Sequence, residues 1–223
     1  MSGTIVLYSG AYCRKKIMVN SVQNNAVTAI LLAAGESTRM GQLKALMPWE
    51  NGVLIEFQIA ELLSGGVVEV IVVVGASYEK ITPFVNKFRS ARTVFNPNFK
   101  NGKTTSIKIG VRAMGKRIND ILVIGVDQPR PSRVIRDLIG YHQSTSAPIT
   151  VPVHNDARGH PLLFRQDLLD DINEIQEESL GLRQVLKKWD AEIAELSVES
   201  PIVLMDLNTP AEYTQAERLF KNS

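Results

Sequence analysis

From Val27 onward, short apolar runs of strand length alternate with stretches of helical period, and this alternation constrains the fold more than any other feature of the chain. Val27 to Ala33 reads as a buried first strand, followed by a polar, glycine-bearing loop and an amphipathic helix near Leu54 to Leu63. Val68 to Val74 is the next strand, Tyr78 to Phe88 is helical, and Thr93 to Phe95 is a short strand. Asn96, Pro97, Asn98, Asn101 and Gly102 mark an irregular loop before a helix over Thr104 to Met114. Asp120 to Val126 is another central strand, ended by Asp127, Gln128 and Pro129, where proline forbids further ladder pairing. A helix near Ser132 to His142 follows. A strand after Pro148 up to Val153 and a strand-like Pro161 to Phe164, with Asn155 and Gly159 between them, read as a hairpin. Two helical stretches, a strand-like Glu192 to Val198, an apolar Ile202 to Met205 and a helix from Pro210 complete the pattern. The expectation is an α/β protein, with 27–223 as a single domain and 1–26 as an N-terminal extension of poorly specified, disordered character.

Composition narrows the function classes. Lys and Arg number 25 against 23 Asp and Glu, a net charge of +2, which argues against a dedicated nucleic-acid binder. The 44% hydrophobic and 22% charged content is that of a chain with a packed core. Cys13 is the only cysteine, so no intrachain disulfide forms and a cytoplasmic setting is expected. The most apolar stretch, Val67 to Ala76, contains Glu69 and is well short of the roughly 20 residues of a membrane-spanning helix. No membrane association is expected.

The chemistry concentrates where the first strand ends. Ala33, Ala34 and Gly35 are small enough for backbone N–H groups to approach an anion, and Arg39 and Lys44 place positive charge on the same loop. Such loops at carboxyl strand ends are where open α/β sheets bind ligands, and a triphosphate suits this one. Gly35 and Gly41 are not followed directly by Lys and Ser or Thr, so this is not a Walker A loop, and the dinucleotide fingerprint is also missing. The plain alternative is a tight connection with solvated Arg39 and Lys44. Asp127, at a strand terminus, suits Mg²⁺, which takes oxygen ligands and is bound through one or two carboxylates together with substrate phosphates. Asn208 is the candidate second ligand. The competing reading makes Asp127 a turn residue before Pro129, while Asp206 is placed either to cap the last helix or to assist the metal.

At the level of motifs, the chain resembles the molybdenum cofactor cytidylyltransferases within the MobA-like nucleotidyltransferases, over nearly all of 27–220. The resemblance rests on Ala33 to Gly41 with Gln42 Leu43 Lys44 and Pro48 Trp49 Glu50, then Asn96 Pro97 with Gly102 and Ser106. Asp127 Gln128 Pro129, Gly159 His160 Pro161 and Asp206 Leu207 Asn208 Thr209 Pro210 follow in the family's order. It implies a three-layer, Rossmann-like fold with a mostly parallel mixed sheet, and an enzyme that moves CMP from CTP to the terminal phosphate of molybdenum cofactor with Mg²⁺ as cofactor. It assigns Leu32, Ala33, Ala34, Gly35, Ser37, Arg39, Lys44, Gly102 and Ser106 to the nucleotide, with Lys44, Arg39 and Asp127 catalytic. Gln128, Pro129, Gly159 and His160 go to the acceptor, and Asp127 and Asn208 to the metal. It also implies a xanthine dehydrogenase-type hydroxylase as the client. The Ala34-Gly35 pair resembles the CTP-using branch, where GTP users carry two glycines. Two positions depart from the pattern: Val126 where the family has glycine, and Asn208 where the cytidylyl branch has aspartate. The rival expectations are a guanylyl- or sugar nucleotidyltransferase of the same superfamily, and a non-catalytic chaperone for the cofactor.

Overall fold

The computed structural model of the protein describes residues 25–35, 42–115, 119–178 and 180–221. The central sheet uses β1 (Val27–Ala33), β4 (Glu69–Val74), β5 (Ala91–Phe95), β6 (Asp120–Gly125), β7 (Ile149–His154), β9 (Leu162–Phe164) and β10 (Ile193–Ser197), in the order β10-β7-β9-β6-β1-β4-β5. A short β8 (Ala157–Arg158) pairs with β7, and β2 (Pro48–Trp49) with β3 (Gly52–Val53) forms a separate two-stranded ribbon. Pairings of β1 with β4 and β6, β4 with β5, and β7 with β10 are parallel; β9 runs antiparallel to both β6 and β7. The sheet is thus the mostly parallel mixed sheet that the motifs imply.

Three layers follow from the side-chain alternation of the central strands. In β1, Ala29, Leu31 and Ala33 join one hydrophobic cluster while Ile30 and Leu32 join the other. β4 repeats this with Val70, Val72 and Val74 against Ile71 and Val73, and β6 with Leu122 and Ile124 against Ile121 and Val123. Both faces must therefore be covered, as parallel sheets require. The first face receives α1 (Leu54–Ser64), α2 (Tyr78–Val85), α4 (Ser132–Thr145) and α7 (Pro210–Lys221) through Ile55, Ile59, Ile81, Val85, Ile135, Leu138 and Ala216. The second receives α3 (Lys103–Ala113), α5 (Leu169–Glu174) and α6 (Leu182–Lys188) through Ile107, Val111, Ile172 and Val185.

Connectivity then places the site. The chain winds outward from β1 to β4 and β5, and returns to lay β6 on the other side of β1. The crevice at the carboxyl ends of β1 and β6 is the point where winding reverses, the place where such sheets bind ligands. α3 is drawn tightly onto the sheet because Gly110 has no side chain: a Cβ there would stand 2.5 Å from Ile30 Cγ2 and 3.1 Å from Val73 Cγ2. That close approach fixes where the first turn of α3 enters the crevice.

The expected elements agree with these to within a few residues at their ends. Pro83 sits inside α2, and the helix ends at Val85, short of the expected Phe88. Ile202 to Met205, read as an apolar run, is a 3₁₀ turn over Pro201–Leu204. The β2–β3 ribbon carries only two residues per strand, too few for a period-2 signal. The expected extension 1–26 lies, apart from Asn25 and Ala26, outside the described residues.

Candidate active site

The end of β6 is built around missing side chains. A Cβ on Gly125 would collide with Asp127 Oδ1 and stand 3.3 Å from Gln128 Oε1, so the absence of one there lets both side chains fold back over the strand terminus. Gln128 Oε1 accepts from the Gly125 amide at 2.9 Å, and its Nε2 donates to Asp206 Oδ1 at 2.8 Å. From α1, the buried Gln58 donates Nε2 to the carbonyls of Gly125 and Val126 at 3.1 and 3.2 Å. Val126, the departure from the family pattern, packs into the core and donates its amide to Leu32 O at 2.9 Å, so β6 holds its pairing to β1 up to the site.

Lys44, on a 3₁₀ turn over Lys44–Leu46, carries its ammonium across the crevice. Nζ donates to Asp127 Oδ2 at 3.1 Å and to Asn208 Oδ1 at 2.9 Å, although Lys44 itself is only 8% exposed. Residues far apart in the chain thus converge on one cation. Leu207 N donates to Asp127 O at 2.7 Å, which pins the last loop beside β6. Two hard oxygen donors converging on one positive centre suit a divalent cation that completes its shell with phosphate oxygens and water. Among the described residues no cluster of three or more His, Cys, Asp or Glu is placed to hold a metal.

A cleft of about 390 Å³ opens beside this trio. Leu32, Ala34 and Gly35 line it from the end of β1, and Phe99, Lys100, Gly102, Lys103 and Ser106 from the loop before α3 and its first turn. A Cβ on Gly35 would meet nothing within 4 Å, so the chain leaves room at that point. Gly102 adopts φ +101°, a conformation glycine accepts readily, and its bare Cα lies under the Glu177 carboxylate. Glu177 Oε2 accepts from Thr104 N at 2.9 Å, and hydrogen bonding by Thr104, first from its side chain and then from its backbone, holds the Glu177 carboxyl below its ordinary value. The fully buried Asn96 donates Nδ2 to Thr105 Oγ1 and Ser106 Oγ at 2.9 Å each, and accepts from Asn98 N, which ties the end of β5 to α3.

A second cavity of about 530 Å³ adjoins the first, sharing Leu32, Lys103 and Gly125. Its walls are largely apolar, with Ile107, Val123, Val151 and Leu162, and Gly159 and His160 also face it. His160 is held at about 3, far below the usual imidazole value, first by burial and then by the nearby charges of Arg130 and Lys103. It is therefore neutral at working pH, and its buried Nδ1 has no hydrogen-bond partner.

Of the residues assigned from sequence, Leu32, Ala34, Gly35, Lys44, Gly102, Ser106, Asp127 and Asn208 meet at the first cleft, and Gln128, Gly159 and His160 at the second. Ala33 instead packs into the core, and Pro129 is buried behind the site. Gln128 lines the second cavity with both ends of its amide already engaged. Ser37 and Arg39 lie outside the described residues. Asp206 does not cap α7: the Glu212 carboxylate accepts from Asn208 N at 3.0 Å, and Thr209 Oγ1 accepts from Glu212 N at 3.3 Å, while Asp206 holds Gln128. Arg158 lines the second cavity but is paired to Asp190 and Glu195 at 2.6 Å each. Sequence reasoning missed Lys103, which borders both cavities, and Arg130, which is 1% exposed and bonded entirely to carbonyls. The one hint for Arg130 was a cation set between Pro129 and Pro131 directly after the Asp-Gln-Pro motif.

A three-layer α/β sheet with a cation, a carboxylate and an amide converging at its switch point defines a nucleotide-handling protein of the nucleotidyltransferase type. The chain belongs to the MobA-like NTP transferase domain family, whose pattern it matches over residues 29–193. It is similar to the molybdenum cofactor cytidylyltransferase of Escherichia coli (strain K12), with 27% identity over 197 residues, 88% of this chain and 98% of that protein. It is also similar to the nicotine blue oxidoreductase of Paenarthrobacter nicotinovorans, at 30% identity over 191 residues, 78% of this chain and 89% of that protein. Among solved structures, a nucleotidyl transferase from Methanothermobacter shares the fold with a TM-score of 0.75 at 23% identity, covering 89% of this chain and all of that one. Among the described residues no helix is long and apolar enough to cross a membrane.

Proposed function

We propose that the protein transfers CMP from CTP to the terminal phosphate of molybdenum cofactor, releasing pyrophosphate. The observation that carries this reading is the convergence of Lys44, Asp127 and Asn208 at the first of two adjoining cavities, the second of which is largely apolar and shares Leu32, Lys103 and Gly125 with it. CTP occupies the first, with its triphosphate against the amides of Ala34 and Gly35 and the charges of Lys44 and Arg39. The flat heterocycle of the acceptor occupies the second, where neutral His160 offers Nδ1.

An acceptor phosphate oxygen forms a bond to the α-phosphorus in line as the bond from that phosphorus to the α–β bridging oxygen breaks, and the electron pair leaves on pyrophosphate. The acceptor phosphate is largely ionised at neutral pH, so no strong base is needed. Lys44 and Arg39 offset the charge that grows on the leaving group. Asp127 and Asn208 would hold Mg²⁺, which supplies electrostatic stabilisation to the phosphate oxygens when bound. CTP is preferred over GTP on the strength of the Ala34-Gly35 pair, and the dinucleotide product suits a xanthine dehydrogenase-type client in a cytoplasmic setting.

The experiment incubates the protein with Mg²⁺, molybdenum cofactor and CTP, GTP, ATP or UTP in turn, then measures pyrophosphate and identifies the dinucleotide. Cytosine dinucleotide from CTP alone is the expected result. A guanine product would move the protein to the guanylyl branch, and tight cofactor binding without pyrophosphate would make it a chaperone. The similarity to an enzyme named as a nicotine blue oxidoreductase makes a parallel assay for redox turnover of nicotine blue the appropriate control.

A further inference from the structure

We infer that Arg130 is a positioning residue for the reaction: by clamping three backbone segments from behind the site, it sets the separation of the Asp127 and Asn208 oxygens and seats His160 at the second cavity. The inference rests on the metal and nucleotide reading above and adds to it a residue that neither substrate touches.

Arg130 donates Nη1 to Pro129 O at 2.8 Å, Nε to His160 O at 2.9 Å, and Nη2 to Val203 O at 2.8 Å and Met205 O at 3.0 Å. These acceptors belong to three different pieces of chain: the exit from β6, the Gly-His-Pro turn and the loop before α7. Each carries a site group within a few residues. Asp127 is three residues before Arg130, Asn208 three after Met205, and His160 is itself one of the acceptors. The segments also meet directly, His160 N donating to Val203 O at 2.9 Å and Leu207 N to Asp127 O at 2.7 Å. Gly159 completes the junction, because a Cβ there would collide with the Val203 carbonyl that both Arg130 and His160 hold.

Burying a guanidinium among carbonyls is an expensive way to fill space, and an apolar side chain of similar volume commonly stabilises as well or better. Its rigid fork of donors is suited to what a hydrophobe cannot do, which is to fix several carbonyls at once. The charge has a second use. Asp206 and Asp127 both lie within its field, so the clamp also places a positive charge beside these two side chains. Although burial pulls the guanidinium down to about 9, it keeps its proton at neutral pH.

The test uses full-length Arg130→Lys, Arg130→Met and Arg130→Ala beside Asp127→Asn. Mn²⁺ binding is read by electron paramagnetic resonance with CTP present, alongside kcat, the KM for CTP and the thermal midpoint. Outer residues that orient metal ligands typically cost 10–100-fold in affinity or activity, so Arg130→Lys and Arg130→Met should each weaken Mn²⁺ and lower kcat by about 10–100-fold, with the KM for CTP nearly unchanged. Guanidinium ion should restore part of the loss in Arg130→Ala, and methylammonium should not. Arg130→Lys, which keeps charge and most of the volume, carries the test if Arg130→Met fails to fold. Folded variants with a lower melting point but wild-type Mn²⁺ affinity and kcat would overturn the inference and leave the metal reading standing. Mn²⁺ binding that survives Asp127→Asn would overturn the metal reading, and the inference with it. A wild-type protein that binds Mn²⁺ through Asp127 without turnover would remove the transferase reading alone, since the Mn²⁺ arm still reports on Arg130.

Discussion

The Lys44 ammonium joins Asp127 and Asn208 from 83 and 164 residues away, at 3.1 and 2.9 Å, so a cation already bridges the two oxygens assigned to the metal. Lysine and a divalent ion therefore compete for the same donors. On the proposed reading, a bound triphosphate would give Lys44 a stronger partner and release the oxygens. Lys44→Met should accordingly bind Mn²⁺ more tightly than wild type when nucleotide is absent. The same variant should lose turnover by about 100–1,000-fold, the typical cost of removing one well-placed electrostatic donor. Near-normal turnover would remove Lys44 from the machinery, whatever the Mn²⁺ result.

Gly102 offers a test that leaves every charge in place. Its φ of +101° strains any L side chain, and a Cβ there would run into the Glu177 carboxylate that caps the first turn of α3. Gly102→Ala should displace Glu177 and disturb the cleft wall around Lys103 and Ser106. Isothermal titration should show weakened nucleotide binding, and the melting temperature should fall slightly, since strained backbone costs on the order of 1–3 kcal/mol. Unchanged affinity would place the nucleotide away from this wall.

His160 gives the folded protein a definite pH dependence. Its value of about 3 lies below the ordinary imidazole value of 6.5, so between those two the unfolded chain binds a proton that the folded one does not. Stability then rises with pH across this window and is lost as pH falls from 6.5 toward 3, at up to roughly 1.4 kcal/mol per unit. Between pH 7 and pH 5 the wild-type protein should lose up to roughly 2 kcal/mol that His160→Asn does not. Parallel urea titrations at the two pH values check this; equal losses in both proteins would mean that His160 is solvated and charged when folded.

How much of this was legible beforehand divides along physical lines. The central strands were readable because β1, β4 and β6 are buried on both faces, which leaves a run of apolar residues with almost no competing period. Lys44, Asp127 and Asn208 were readable because each sits in a short motif at a strand end or loop, where side-chain chemistry rather than packing selects the residue. Arg130 was not, because its partners are main-chain carbonyls at positions 129, 160, 203 and 205, and a carbonyl leaves no mark on a sequence. Gln128 lines the second cavity to which its motif assigned it, but the bonds of its amide to Gly125 and Asp206 were not legible, because they too depend on the fold. The role of Asp206 depended on which carboxylate reached the start of α7, and Glu212 does so from the first turn of that helix.

Asn208 is the remaining point at which charge decides behaviour. Its amide oxygen accepts from Lys44 without contributing a formal charge, whereas Asp127 brings a carboxylate to the same cation. Asn208→Asp adds a negative charge at that position, which strengthens the hold on Lys44 and on a divalent ion together. The two gains are unequal, because the interaction energy scales with the charge of the bound cation, and the divalent ion gains about twice what the ammonium does. The balance should move toward metal. The half-saturating Mn²⁺ concentration should therefore fall in Asn208→Asp, both with and without CTP, and should rise in Asn208→Leu, which has no oxygen to offer. A titration followed by electron paramagnetic resonance reads both shifts, and if neither variant departs from wild type, Asn208 is not a ligand and the metal rests on Asp127 and the nucleotide alone.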